Sequence, residues 1–379
     1  MTWLPNLIRT TAVAFMTVLF TGCGGGLTVT RVNSAEDKPN NVWVFFTVKE
    51  GEEPVGGLEA EDFEIYEDDK LVSTFESQQK ILNPEVAAVS YTLLLLDMSG
   101  SVTESGGAEA LVDAALKFSE RVGKSQKVAV YAFDGAEKIH PVVRFTEAKG
   151  QVASGIEKLR TYEAMDPSTN LNGAVVRGLT TLKEELAKDK KPLKFGTLVV
   201  FTDGTDRAAR VSEDEMNEAV SNPDYEHYEM FAVGVGGEIE KSALDNIGRD
   251  GSELVEDEAK LGEAFDKIAS RIESHMKRFY LLSYCTPARK GEHQVRIVAN
   301  TGAAKKDGEG AGSEKKKDEK AKSGALEYTF SADGFGAPPK CDPERKPKFK
   351  LEATLESEDA DARDAAEADA EASASVSTN

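Results

Sequence analysis

At 379 residues the chain is long enough for two domains, each able to bury its own core. Its 40% apolar and 7% aromatic residues fit a globular protein with sizeable unstructured parts. A net charge of −21 argues against nucleic acid as a partner, because a phosphate-binding surface needs a basic field.

The first residues read as an export address. Arg9 supplies a basic start, Ala12 to Phe20 (AVAFMTVLF) forms a short apolar core, and Thr21-Gly22 leads into Cys23. A run of nine residues is too short to cross a hydrocarbon core of about 30 Å as a helix, which predicts a signal peptide over 1–23. The order apolar, small, Gly, Cys resembles a bacterial lipobox, with Phe20 where Leu is usual. That resemblance implies that the Cys23 thiol takes a diacylglycerol, becomes residue one of the mature protein and anchors it to a membrane of the cell envelope. In a Gram-negative cell, a residue other than Asp after the lipidated Cys implies the outer membrane. Ordinary signal cleavage near Gly22 is the other reading. Gly24, Gly25 and Gly26 predict a flexible tether over 24–40.

From Asn41 to Ile81 the pattern is β. Val42, Val44, Phe46 and Val48 recur at period two, and Asp62–Tyr66 and Leu71–Phe75 predict further short strands. From Ser90 the period changes. Tyr91–Leu96 (YTLLLL) is a continuous apolar run, the mark of a strand buried on both faces of a parallel sheet. A helix is predicted over Ala108–Val122, then strands over Val128–Phe133 and Ile139–Phe145, then helices near Gln151–Arg160 and Leu171–Ala187. Strands Gly196–Thr202 (GTLVVFT) and Glu229–Gly234 follow, with helices over Ser212–Val220 and Lys241–Ile247, a short strand Glu253–Val255 and a helix from Ala259 to Lys277. Strands alternating with helices predict an α/β fold over 89–277, a doubly wound, mostly parallel sheet of the Rossmann-like kind.

After that helix the pattern is β again, at Phe279–Ser283, Gln294–Ala299 and Leu326–Phe330. The polar stretch 301–324 between the last two predicts a mobile insertion. Neither flank has enough strands to stand alone. We therefore expect one small β-sandwich built from 41–88 and 278–341, with the α/β domain inserted in it; two separate small β modules are the alternative. Between Leu351 and Asn379 nine acids face Arg363 alone, so this segment carries −8 of the −21, and 342–379 is predicted to be a disordered acidic tail. With lipid on Cys23, the remaining Cys285 and Cys341 predict a disulfide in an oxidising compartment, two free buried thiols being the alternative.

Three segments fall at predicted C-terminal ends of strands or just before a helix, where open α/β sheets place ligands. They are Asp97-Met98-Ser99-Gly100-Ser101 after YTLLLL, Ser168-Thr169-Asn170 before the Leu171 helix, and Asp203-Gly204-Thr205-Asp206 after GTLVVFT. Alone, each has a helix-capping or turn reading. Together, in this order, they predict an all-oxygen set in which Asp97, Ser99, Ser101, Thr169 and Asp203 turn toward one cation. Hard oxygen donors suit Mg²⁺, with Ca²⁺ or Mn²⁺ as alternatives, and the scattered histidines His140, His227, His275 and His293 argue against zinc.

On those residues the stretch from about Ser90 to His275 resembles a von Willebrand factor A domain with a metal-ion-dependent adhesion site. The family's site is written Asp-x-Ser-x-Ser, then Thr, then Asp, and all five positions match here; Pro167-Ser168 stands where Gly-Gly or Gly-Thr is frequent. The β flanks, with GLEAEDFEIYED and FYLLSYCTP, resemble those of bacterial A-domain-related envelope proteins. The resemblance implies a metal-dependent protein-binding module whose cation completes its shell with an Asp or Glu of a partner. A structural envelope protein with a purely stabilising metal is one rival. A metal-assisted hydrolase is another, but no His or Glu is visibly placed as general base and no Gly-x-Ser-x-Gly appears, so we expect no enzyme.

Overall fold

The computed structural model describes residues 26–301, 321–336 and 341–349. The predicted signal peptide with Cys23, the body of the 301–324 insertion and the acidic tail beyond 349 lie outside the described residues. No helix among the described residues is long and apolar enough to cross a membrane.

The described residues open with β1 (Leu27–Asp37), β2 (Asn41–Glu50), β3 (Glu53–Pro54), β4 (Phe63–Glu67), β5 (Lys70–Leu71), α1 (Thr74–Ser77) and β6 (Lys80–Leu82). An α/β stretch follows: β7 (Ala88–Asp97), α2 (Gly100–Ser105), α3 (Gly107–Val122), β8 (Lys127–Phe133), β9 (His140–Thr146), α4 (Lys149–Glu157) and α5 (Leu171–Ala187). It continues through β10 (Leu193–Thr202), α6 (Glu213–Val220), β11 (Glu229–Val235), α7 (Lys241–Ile247), β12 (Gly251–Val255) and α8 (Leu261–Lys277). The closing strands are β13 (Phe279–Cys285), β14 (Glu292–Thr301) and β15 (Lys322–Ser331).

The central sheet has the order β12-β11-β10-β7-β8-β9. Every neighbouring pair is parallel except β8 with β9. Its middle strand shows why the apolar run is continuous. Side chains alternate faces along a strand, so a run without polar interruption must be covered twice. Leu94 and Leu96 pack with α3, α4 and α8, through Leu111, Phe118, Ile156, Phe265 and Ile268. Leu93 and Leu95 face the other way, onto Val175, Leu179 and Leu182 of α5 and onto residues of α6 and α7. All four leucines are fully buried. At about 1.5–3 kcal/mol per buried side chain, this pattern commits the segment to the centre of the sheet.

The flanks form two antiparallel sheets. One has the order β1-β2-β13-β6 with β3 on the side of β2; the other has the order β15-β14-β4-β5. Strands from before and after the α/β stretch are interleaved in both: β13 lies between β2 and β6, and β14 lies between β4 and β15. The two sheets share a core in which Phe46, Phe63 and Tyr280 meet with ring centroids 5.4–5.7 Å apart. Along β2, Val42, Val44, Phe46 and Val48 face this core, while Trp43 and Phe45 face a second cluster with Leu193, Phe195 and Met276 of the α/β unit. One strand thus serves the sandwich with one face and the α/β unit with the other.

Three expectations need correction. The stretch read as a tether over 24–40 carries β1, paired along its length with β2, because Leu27 and Val29 alternate into the sandwich core behind the glycine run. Leu71–Phe75 is not a strand: β5 stops at Leu71 and α1 begins at Thr74, where the Ser73 hydroxyl accepts the Glu76 N–H at 3.2 Å. A capping serine three residues before a glutamate outweighs the strand preference of the Val-Ser-Thr-Phe run, and Phe75 is left exposed. The start of the predicted tail is also ordered. Cys285 and Cys341 are joined in a disulfide, and Cys285 lies opposite Asn41 in the β13–β2 register. The bridge therefore delivers the chain to β2, where Asn41 donates to the Asp342 carbonyl at 2.6 Å, Trp43 Nε1 donates to the Arg345 carbonyl at 2.9 Å, and Phe349 packs edge-on to Phe45.

Candidate metal centre

Asp97 is the last residue of β7, and Thr202 is the last of the adjoining β10, where Phe201 sits opposite Leu96. Adjacent parallel strands therefore deliver Asp97 and Asp203 to the same rim of the sheet. The Asp97 carboxylate is fully buried. One oxygen accepts the Ser99 backbone N–H at 3.0 Å and the other accepts the Thr202 hydroxyl at 2.8 Å. The Ser99 and Ser101 hydroxyls are 3.2 Å apart, and the Ser101 hydroxyl donates to Asp203 at 2.8 Å. Asp97, Ser99, Ser101 and Asp203 thus form one hydrogen-bonded chain across two loops.

The capping reading of these serines and threonines does not hold. Ser99 occupies the N-cap of α2 without a side-chain cap bond. The N-cap of α5 is Asn170, not Ser168 or Thr169, and it too makes no side-chain cap bond. Ser168 instead donates to Asp166 at 2.7 Å. Thr169 is buried, and its carbonyl accepts the Arg207 and Ala208 N–H groups, both at 2.9 Å. The structure therefore ties Thr169 to the Asp203 loop through its backbone, while its hydroxyl stays outside the hydrogen-bonded chain that links the other four residues.

A backbone contact brings the third loop in. Gly100 N–H donates to the Pro167 carbonyl at 2.9 Å. A Cβ at residue 100 would lie 3.0 Å from the Pro167 Cβ and 3.2 Å from its oxygen, so the glycine in DMSGS permits this close approach. Gly100→Ala should push the 162–170 loop outward by a few tenths of an ångström. We expect cation affinity to fall about tenfold with little loss of stability, the scale at which supporting groups act on metal sites. Calorimetric Mg²⁺ titration beside denaturant unfolding checks this; unchanged affinity would show that the Pro167 approach is dispensable.

Two participants escaped the sequence reading. Thr202 is hidden inside GTLVVFT, and its role depends on the β7–β10 pairing. Asp134 follows β8 directly, is fully buried, and accepts the Ala136 and Met165 N–H groups at 2.8 Å each. Its own carbonyl accepts the Asn170 N–H at 3.0 Å, so one aspartate fastens both ends of the loop that carries Thr169. The signal was available: Phe133-Asp134-Gly135 repeats the strand-then-carboxylate pattern that singles out Asp97 and Asp203. The second acid of Asp203-Gly204-Thr205-Asp206 has a different task. Asp206 accepts the Asn172 and Ala209 N–H groups at 3.2 and 3.0 Å, bracing the start of α5.

Burial pushes the Asp97 carboxyl up to about 7, against the pull of hydrogen bonds from Ser99 and Thr202, and neighbouring Asp203 pushes the same way. Asp203 is raised as well, by burial first, with Glu238 and Glu258 adding to it against the Ser101 hydrogen bond. Two carboxylates raised by burial, each with further acidic charge beside it, are the setting in which a bound cation is stabilising. The donors fit a hard ion: carboxylate and hydroxyl oxygens, with His275 and His293 engaged by Glu229 and Asp68 instead. Among the described residues no group of three or more His, Cys, Asp or Glu side chains could hold a metal, so a cation here depends on the hydroxyls as well as the two acids.

Residues 92–205 match the von Willebrand factor type A domain family, a stretch that contains Asp97, Ser99, Ser101, Thr169 and Asp203. Among solved structures the chain is similar to a von Willebrand factor type A protein from Catenulispora acidiphila, with 12% identity, a TM-score of 0.39, and coverage of 74% of this chain and 71% of that one. It is similar to manganese-loaded TRAP protein from Plasmodium vivax, with 12% identity, a TM-score of 0.41, and coverage of 71% and 98%. It is also similar to proximal thread matrix protein 1 from the mussel byssus with a zinc-occupied MIDAS motif, with 15% identity, a TM-score of 0.39, and coverage of 55% and 49%. The chain spans about half the length of the mussel protein. No curated protein matches the sequence. The α/β unit has a fold like that of a von Willebrand factor type A domain over the matched stretch, with two antiparallel sheets outside it.

Proposed function

We propose that this chain is a divalent-cation-dependent protein-binding module, exported and held to the cell envelope by lipid on Cys23. In a Gram-negative cell we place the anchor in the outer membrane. The observation that carries the binding reading is the hydrogen-bonded chain Asp97–Ser99–Ser101–Asp203 on one rim of the sheet. Asp97, Ser99 and Ser101 hold the cation, which we take to be Mg²⁺, with Thr169 and Asp203 completing the protein's share. Two carboxylates leave a divalent ion short of the oxygens it needs. With Asp203 acting through water, the bound ion keeps positive charge and an open position for an Asp or Glu side chain of a partner protein. Ser101 is exposed, so a ligand can reach the site from solvent.

The reading is tested by capture from envelope extracts with Mg²⁺ and with chelator in parallel, beside thermal unfolding under both conditions. A cation held near its Kd stabilises by only RT ln 2, about 0.4 kcal/mol. Chelation should therefore abolish partner capture while moving Tm by about a degree or two. Capture that persists undiminished with chelator present would sink the binding reading, and a fall in Tm of many degrees on chelation would assign the metal a structural role.

A further inference from the structure

A cleft of about 790 Å³ opens at the opposite end of the central sheet from Asp97, in the seam between the α/β unit and the first antiparallel sheet. Its walls include Ala88, Val89 and Ser90 of β7, Lys127 of β8 and Phe195 of β10 on one side and Phe45 and Phe279 on the other. Phe45, Phe195 and Phe279 form an aromatic floor, with Phe195 and Phe279 centroids 4.5 Å apart. The border is basic. Lys124, Lys127, Lys149, Lys191 and Lys277 all line it, in a chain whose net charge is −21.

Not all of that charge is available. Lys127 is paired with Asp189 at 3.1 Å. Glu273, on the same wall, is engaged by Arg121 through bonds of 2.6 and 2.7 Å. Lys191 donates to the Glu85 and Val86 carbonyls, which orient its ammonium without cancelling its charge. Lys124, Lys149 and Lys277 are exposed. Against these four cations stand Glu85 and Glu147.

The described chain stops at this cleft. Phe349 meets the floor residue Phe45 edge-on at 6.5 Å. The segment that follows in sequence, 351–379, holds nine carboxylates and one arginine. Leu351 and Leu355 lie at its start, close in sequence to the aromatic floor, and the acids run from Glu352 onward, matching the basic border. Glu352 is three residues past Phe349, a reach of about 10 Å in extended chain. A segment tethered this closely acts at a millimolar effective concentration, so weak contacts suffice to hold it.

We propose that the acidic segment 351–379 docks into the lysine-bordered cleft of its own chain, its leucines toward Phe195 and Phe279 and its carboxylates on Lys124, Lys149, Lys191 and Lys277, clasping the seam between the sandwich and the α/β unit.

The full chain, as an equal mixture of isotope-labelled and unlabelled protein, is cross-linked at low salt with a zero-length carbodiimide and its peptides are mapped. Glu352–Asp364 should join Lys124, Lys149 or Lys277 about tenfold more often than Lys70 or Lys267, within single copies. That preference should vanish at about 1 M salt, where the screening length is ~3 Å. It should also vanish in the Lys124→Glu/Lys149→Glu/Lys277→Glu variant; should that variant fail to fold, the salt series on the unmodified chain decides. Even labelling of lysines across the surface overturns the docking. Cross-links that mix labelled and unlabelled chains overturn the intramolecular assignment and make the occupant a second copy.

Discussion

Asp97→Asn is expected to lower Mg²⁺ affinity by on the order of 100-fold or more, because even supporting groups around a metal cost 10–100-fold when lost, and to leave the fold intact. The asparagine keeps an oxygen for the Ser99 N–H but loses the charge that draws a cation. It also removes the buried charge of Asp97, whose desolvation is the main cause of its raised pKa, with Asp203 adding to it. In metal-free buffer the variant should therefore be no less stable than the parent protein. Partner capture should fall with the Mg²⁺ affinity. Two measurements separate the outcomes: titration calorimetry for the ion, and denaturant unfolding for the fold. Unchanged Mg²⁺ affinity would remove Asp97 from the site, whatever happens to the partner.

Loss of the Cys285–Cys341 bridge is the second large effect. The bridge closes a loop spanning 56 positions, so it restricts the unfolded chain considerably, and such bonds contribute about 2–4 kcal/mol. Its removal also frees the segment that supplies the Asp342 and Arg345 carbonyls to Asn41 and Trp43, both of them buried donors on β2. Because β2 serves the sandwich and the α/β unit at once, the loss should be felt in both. We expect the Cys285→Ala/Cys341→Ala protein to melt on the order of 10 °C lower, given roughly 4–8 °C per kcal/mol for a unit of about 100 residues. A Tm within a degree of the parent would show that the docked segment and the bridge contribute nothing to the fold. Mg²⁺ affinity should be untouched, since the bridge fastens β13 of the first antiparallel sheet, outside the central sheet that carries Asp97. The pair of variants thus moves two observables independently.

Much of the α/β unit could be read from the sequence because its signals are local. A strand covered on both faces must be apolar throughout, as in YTLLLL and GTLVVFT, and each helix must carry a stripe of period 3.6, as Leu111, Ala115, Phe118 and Val122 do on α3. The residues leaving those strands were equally visible, which is how Asp97, Ser99, Ser101 and Asp203 stood out before any pairing was known. Even the disulfide was expected from the cysteine count. What the sequence could not decide was pairing. β13 is held between β2 and β6, strands about 200 residues or more before it, and nothing in FYLLSYC specifies those neighbours. Period two tells a strand which side chains share a face; it does not say which strand lies alongside. The same reason hid β1, whose polar face is open to water, and Thr202, whose hydroxyl reaches Asp97 only because β10 lies beside β7. Asp134 was visible as a residue but not as a fastener, since its partners at Met165 and Asn170 come from a distant loop. Local periodicity decided what each segment is; only non-local hydrogen bonding and burial decided where it goes.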